Sequence, residues 1–142
     1  MLMEIVNVLV YGILGMGLIT LCVWLFDLVV PYDFQDDIVA GNKGAAWACA
    51  GLYIALGFIM RSAIMAIPFE IEEMALAIGV MDSLIWAAVG LVLLAGGYFL
   101  IDLAMRRINF NTEIGRKNEA AGIVVFGIFV SLALVISGAI MG

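Results

Sequence analysis

Long apolar runs separated by short polar segments are the main pattern along the chain. The runs cover residues 5–26, 44–67, 83–101 and 120–142. Each has about the 20 residues that an α-helix needs to cross a hydrocarbon core of about 30 Å. Asp27 follows the first run, Arg61 interrupts the second, and Asp82 and Asp102 bound the third. This pattern predicts an all-α polytopic membrane protein with four transmembrane helices, forming a single domain over residues 1–142.

The composition narrows the class of protein. Of the 142 residues, 66% are apolar and 13% are charged, against about 25% charged in soluble domains, so a water-soluble globule is excluded. The sequence has no histidine, which excludes imidazole metal sites and Ser-His catalysis. Cys22 and Cys49 lie apart within apolar runs, without the spacing of a zinc site. A net charge of −6 does not suit nucleic acid. We therefore expect a non-enzymatic protein of the lipid bilayer, with no metal, cofactor or nucleic-acid partner.

The basic residues of the loops predict the orientation. Cytoplasmic loops of membrane proteins carry an excess of Lys and Arg. Five bases lie in the first and third loops, namely Lys43, Arg106, Arg107, Arg116 and Lys117, whereas the middle connection has only Arg61 at its edge. The first and third loops are therefore expected in the cytoplasm. Both termini and the middle connection are expected outside it.

The chain also matches itself at an offset of 76 residues. The segment 42–46 matches 118–122, each opening with an asparagine that leads into small residues, and 63–65 matches 139–141. This predicts two copies of a helix hairpin, at about 5–67 and 80–142. Because each copy contains an even number of spans, both enter the membrane from the same side. The repeat is therefore parallel.

The order of residues within each copy resembles a known family. A helix ending in Asp27 is followed by Pro31, a polar loop and Asn42-x-x-Ala45-Ala46, and a second copy opens at Asn118-x-Ala120-Ala121. This resembles the bacterial inner-membrane proteins grouped as domain of unknown function 350, in which the domain occurs as two tandem copies. Val30 departs from the Thr-Pro pair expected before Pro31. The resemblance implies a bacterial plasma membrane, no established activity, and association with membrane-stress proteins that resemble the phage-shock and ESCRT-III-like proteins.

Small residues recur along one face of two predicted helices. The stripe comprises Gly44, Ala48, Gly51 and Ala55 in the second helix, and Gly127, Ser131 and Gly138 in the fourth. Lipid offers no hydrophobic drive for helix association, so small side chains act by permitting close van der Waals contact. The stripes predict either packing of these two helices within one chain, or a seam or pore wall between the copies of a homo-oligomer.

Asn42 and Asn118 open the second and fourth predicted helices at the expected cytoplasmic interface. An asparagine at this position accepts a hydrogen bond from a backbone N–H two or three residues further on. The spacing therefore predicts helix caps. Contact with an ion or a partner is the alternative for both residues.

Four charged residues lie at the predicted span ends. Asp27 and Asp102 lie at the expected cytoplasmic interface, and Arg61 and Asp82 lie on the other side. Asp82 is expected to begin the third helix, where its charge favours the positive end of the helix dipole, and Arg61 either reaches the interface or pairs with Asp82. A gate or ion relay is the alternative. Three glutamates within residues 70–73 predict a solvated acidic rim.

The expected cytoplasmic face has mixed charge. Arg106, Arg107, Arg116 and Lys117 in the third loop face Asp33, Asp36 and Asp37 in the first. These groups suit ion pairs with one another, anionic lipid heads or a peripheral protein. We expect an oligomeric scaffold or membrane-stress subunit that docks a cytoplasmic partner on the four basic residues. The alternative is an oligomeric channel or permease for ions or small solutes.

Overall fold

The computed structural model describes residues 2–66 and 75–142, and these residues form helices joined by short turns. The helices are α1 Leu2–Val29, α2 Phe34–Val39, α3 Lys43–Met65, α4 Ala75–Ala104, α5 Phe110–Gly115 and α6 Glu119–Met141. Four of them, α1, α3, α4 and α6, are long and apolar enough to cross a membrane. The prediction of an all-α protein with four transmembrane helices is confirmed.

Three predicted helix boundaries were wrong, those at Asp27, Asp82 and Asp102. Helix α1 continues past Asp27 to Val29, and α4 contains both Asp82 and Asp102. Asp82 lies about two turns inside α4 and therefore does not begin it. Asp27 and Asp102 each accept a backbone hydrogen bond from the segment that follows their helix, so the last turn of α1 and of α4 accommodates the carboxylate.

Helices α3 and α6 form the central pair of the bundle, and α1 and α4 pack at its flanks. The α3–α6 contact is close because glycines remove the side chains that would separate the two backbones. A Cβ on Gly51 would lie 2.6 Å from the Cα of Phe126, and one on Gly44 would lie 2.6 Å from the carbonyl oxygen of Asn118. Gly122 meets the backbone of Gly44 in the same way.

Aromatic side chains from α1, α4 and α6 pack together in the core of the bundle. The ring of Phe129 lies 5.3 Å from that of Phe26 and 5.0 Å from that of Tyr98, and Tyr98 is stacked on it. Phe26 meets Tyr98 edge to face at 6.0 Å. These three residues tie α1 and α4 to the central pair, since they come from α1, α4 and α6.

Candidate functional site at the basic end of the bundle

The end of the bundle that carries Lys43, Arg106, Arg107, Arg116 and Lys117 is here called the basic end. Helices α1 and α4 finish there, α3 and α6 begin there, and the short helices α2 and α5 connect them. The polar contacts of this end follow the same scheme in both halves of the chain. Among the described residues, this end therefore carries the polar contacts from which a candidate site can be argued.

One aspartate in each half holds the following short helix in place. The carboxylate of Asp27 accepts a hydrogen bond from the backbone N–H of Phe34 at 2.7 Å. Asp102 accepts one from the backbone N–H of Phe110 at 3.2 Å. Both phenylalanines are buried, so each short helix is fixed by a polar contact at its start and by an apolar anchor. Asp27 and Asp102 therefore have a structural role, because each carboxylate fixes the backbone at the start of the short helix that follows it.

Asn42 and Asn118 cap α3 and α6. Asn42 accepts from the backbone N–H of Ala45 at 3.2 Å, and Asn118 accepts from the backbone N–H of Ala120 at 3.1 Å. Their surroundings differ, because Asn42 is only 1% exposed whereas Asn118 is exposed. The amide of Asn42 also donates to the backbone carbonyl of Ile114 at 2.8 Å, which joins the start of α3 to α5.

The turns before these caps use the left-handed backbone conformation in both halves. Gly41 has φ +78° and Lys117 has φ +64°. Glycine adopts this conformation without a steric penalty, whereas a lysine at positive φ is uncommon. The Lys117 ammonium donates to the carbonyl oxygen of Ala40 at 3.2 Å, so the strained residue also joins the two halves.

The ion pairs of the basic end are few. Lys43 pairs with Glu119 at 3.7 Å across the α3–α6 contact, and Arg116 pairs with Glu113 at 3.4 Å. None of the described bases pairs with the first-loop aspartates, which the sequence offered as partners. Asp33 instead caps α2, and Asp37 accepts from the amide of Asn42 at 3.2 Å.

Arg106 and Arg107 differ from the other bases of this end. Both are exposed in the turn that follows α4. Neither forms an ion pair or a side-chain hydrogen bond with any residue in the described ranges, in contrast to Lys43, Arg116 and Lys117. Two adjacent guanidinium groups are therefore available at the surface.

Two buried phenols were missed by sequence reasoning. The hydroxyl of Tyr98 donates to Oδ1 of Asn111 at 2.9 Å, linking α4 to α5. Burial raises the pKa of the Tyr32 phenol well above its usual value, and the nearby Tyr98 and Asp37 add to the effect. Tyr98 lies within an uninterrupted apolar run, so hydropathy gave no signal of its polar contact.

The small-residue stripes are placed differently on the two central helices. Gly44, Ala48, Gly51 and Ala55 are buried on the face of α3 that packs within the bundle. On α6, the stripe of Gly127, Ser131 and Gly138 is exposed, and neither glycine has another group within 4 Å of an added Cβ. These three residues do not contribute to the α3–α6 contact within the chain. That contact uses the next face of α6, which carries Val125, Phe129 and Ala133.

Sequence reasoning also missed a buried hydrogen bond between α3 and α6. The hydroxyls of Ser62 and Ser137 hydrogen-bond to each other and are buried. Ser62 also donates to the backbone carbonyl of Phe58 at 2.9 Å. Because Ser62 gives its one hydroxyl proton to Phe58, Ser137 is the donor in the serine pair, and this bond joins α3 to α6.

The charges at the opposite end are not brought together. Arg61 is exposed and Asp82 is half-buried, and among the ion pairs between described residues none joins them. The glutamates of residues 70–73, predicted as an acidic rim, lie outside the described residues. In the ranges 2–66 and 75–142, no three Cys, Asp or Glu side chains converge as metal ligands.

Comparison with known proteins agrees with this architecture. The family model for Domain of Unknown Function DUF350 matches residues 1–140. The chain is 26% identical over 137 residues to the UPF0719 transmembrane protein YshE of Bacillus subtilis, covering 96% of this chain and 95% of that one. It is 30% identical over 125 residues to a UPF0719 transmembrane protein of Aquifex aeolicus, covering 84% of this chain but 43% of the longer relative. No solved structure matches. This multi-pass membrane protein, which has bacterial relatives, therefore belongs to the DUF350 family.

Proposed function

We propose that the protein is a non-enzymatic, oligomeric scaffold of the bacterial plasma membrane that docks a cytoplasmic protein on its basic end. The observation that carries this proposal is the pair of exposed guanidinium groups on Arg106 and Arg107, which have no partner among the described residues. Arginine forms bidentate bonds with carboxylates and is favoured at interfaces for that reason. An acidic surface on a peripheral protein suits this pair.

The orientation in the proposal comes from the bases of the loops. Five Lys and Arg residues lie at the basic end, whereas Arg61 lies near the other end. An excess of this kind marks the cytoplasmic side. The two termini, near Leu2 and Gly142, then lie outside the cytoplasm.

A tandem origin is part of the same proposal. It is supported by the repetition of the aspartate contacts, the asparagine caps and the left-handed turns at an offset of 75 or 76 residues. Two hairpins of this kind form one bundle through α3 and α6. The exposed stripe of Gly127, Ser131 and Gly138 leaves a face on which a second copy can pack closely, which supports the homo-oligomer.

The docking proposal is tested by purifying the protein in lipid nanodiscs and presenting it to the soluble fraction of the bacterial source. A partner recovered in stoichiometric amount is expected to be a protein of membrane-stress type. The double variant Arg106→Glu/Arg107→Glu is expected to lose it at least tenfold. Arg61→Glu is the control, because Arg61 is an exposed arginine that lies outside the basic end. Equal recovery on the double variant and the wild-type protein contradicts the assignment.

A channel or permease is the alternative, and the outward stripe on α6 is the observation that favours it. Small side chains at Gly127 and Ser131 would form a pore wall with little bulk if several copies surrounded an axis. The test is ion flux into liposomes that contain the purified protein. Flux that is lost in Gly127→Leu but not in Gly57→Leu supports the pore, since Gly57 lies on α3 and not on this stripe.

A further inference from the structure

A groove opens on the side of the bundle formed by α1, α2 and α3, with a volume of about 920 Å³. Its wall along α1 extends from Ile13 to Asp27, about 21 Å of helix axis. One leaflet contributes about half of the 30 Å hydrocarbon core, so the groove is long enough to cross that leaflet. Because α1 and α3 are candidate membrane spans, the groove opens towards lipid.

The groove is apolar along its length and charged at one end. Trp24 and Tyr53 are among its aromatic lining residues, and Asp27 is the one charged group that lines it. One oxygen of the Asp27 carboxylate holds the backbone N–H of Phe34. No ion pair between described residues includes Asp27. The pairs at this end of the bundle join Lys43 to Glu119 and Arg116 to Glu113.

We propose that this groove binds a phospholipid with a primary-amine headgroup, of the phosphatidylethanolamine class. An acyl chain lies along α1 and α3, and the ammonium group donates to the free oxygen of the Asp27 carboxylate. A charge-assisted bond of this kind is short and stronger than a neutral one. Trp24 lies three residues before Asp27, at the level where indole rings favour the headgroup region. The proposal is independent of protein docking at the basic end.

Charge complementarity selects this class over other bilayer lipids. Phosphatidylglycerol carries a net negative charge, which Asp27 repels at the weakly screened membrane interface. Phosphatidylcholine has a quaternary ammonium without an N–H and therefore cannot donate to the carboxylate. The choice among lipids thus depends on one carboxylate, which makes it testable by a single substitution.

The second half of the chain supplies a matched control. Asp102 holds the backbone N–H of Phe110 as Asp27 holds that of Phe34, but it does not line the groove. Asn at either position keeps an oxygen that accepts the backbone bond and removes the charge. Asp27→Asn and Asp102→Asn are therefore expected to fold alike and to differ in lipid selection.

The experiment is native mass spectrometry of the purified protein in detergent, titrated separately with phosphatidylethanolamine, phosphatidylcholine and phosphatidylglycerol of identical acyl chains. The wild-type protein is expected to retain the ethanolamine lipid about tenfold more strongly than the glycerol lipid. One charge-assisted hydrogen bond changes an affinity by about this factor. Asp27→Asn removes this preference, and Asp102→Asn keeps it.

A second pair of variants tests the groove itself. Gly17 lines the groove and Gly12 does not, although both are exposed on α1 with no group within 4 Å of an added Cβ. Gly17→Phe is expected to reduce lipid retention at least tenfold, and Gly12→Phe to leave it unchanged. Equal retention of all three lipids, or an equal loss in both aspartate variants, overturns the proposal. So does a dimer that Gly17→Phe dissociates, because the occupant is then a second copy of the chain.

Discussion

The side-chain amide of Asn42 donates to the carbonyl oxygen of Ile114 at 2.8 Å, across 72 positions of sequence. Because Asn42 also caps α3, one buried side chain fixes both the start of a central helix and the position of α5 in the other half. Asn118 caps α6 but remains exposed. The two halves therefore share a local scheme and differ in how strongly each cap is tied to the rest of the bundle.

This difference predicts unequal effects of removing the two caps. Asn42→Ala leaves the Ala45 N–H and the Ile114 carbonyl without their partner in a buried place, and is expected to lower the free energy of unfolding by about 2–3 kcal/mol. Asn118→Ala loses an exposed cap and is expected to cost about 1 kcal/mol. Reversible unfolding in mixed detergent micelles measures both. An equal loss in the two variants contradicts the bridging role of Asn42.

The close approach of α3 and α6 predicts a strong dependence on position along one helix. Gly51→Ala places a methyl group against the backbone of Phe126 and is expected to cost about 1–3 kcal/mol, as overpacking does. Gly57→Ala adds the same methyl group to the same helix where nothing lies within 4 Å. It is expected to be neutral or stabilising, since alanine favours the helix over glycine. Equal stabilities of the two variants would contradict the packing described above.

The left-handed turn before α3 predicts a backbone effect at Gly41. Its φ of +78° is costly for a residue with a Cβ, so Gly41→Ala is expected to lower the free energy of unfolding by about 1–2 kcal/mol. Gly115→Ala is the comparison, because Gly115 lies at the end of α5 without positive φ and with no group within 4 Å of an added Cβ. The same unfolding assay applies. A Gly41→Ala protein as stable as Gly115→Ala contradicts the assignment.

The proposed orientation predicts which positions a membrane-impermeant thiol reagent reaches in intact cells. Cysteine is introduced separately at Gly142, near one terminus, and at Gly115, at the basic end. Gly142→Cys is expected to react from outside and Gly115→Cys only after the membrane is opened. Cys22 and Cys49 are buried, and the unsubstituted protein gives the background. The reverse pattern places the basic end outside the cytoplasm.

Hydropathy was sufficient to predict the four long helices, because each run has the length that a bilayer requires. The capping of α3 and α6 by asparagine could also be predicted, because a helix cap depends only on the spacing of nearby residues. The bonds from Asp27 to Phe34 and from Asp102 to Phe110 were not readable, because they depend on how a short loop folds back. The face that α6 buries was also hidden. Gly127 and Val125 are both apolar, and in a membrane hydropathy does not distinguish a helix face that packs on protein from one that faces lipid.

A cytoplasmic protein that docks at the basic end is expected to contact the turn that follows α4. The most direct measurement is photo-crosslinking in living cells, with a photoreactive residue in place of Ile108, which follows Arg106 and Arg107 and is exposed. One protein adduct of defined mass is expected, and it is lost when both arginines are replaced by glutamate. The same residue in place of Met141, exposed at the other end of the bundle, is expected to give no such adduct. An absence of adducts at Ile108, or the same adduct from both positions, rules out docking at the basic end.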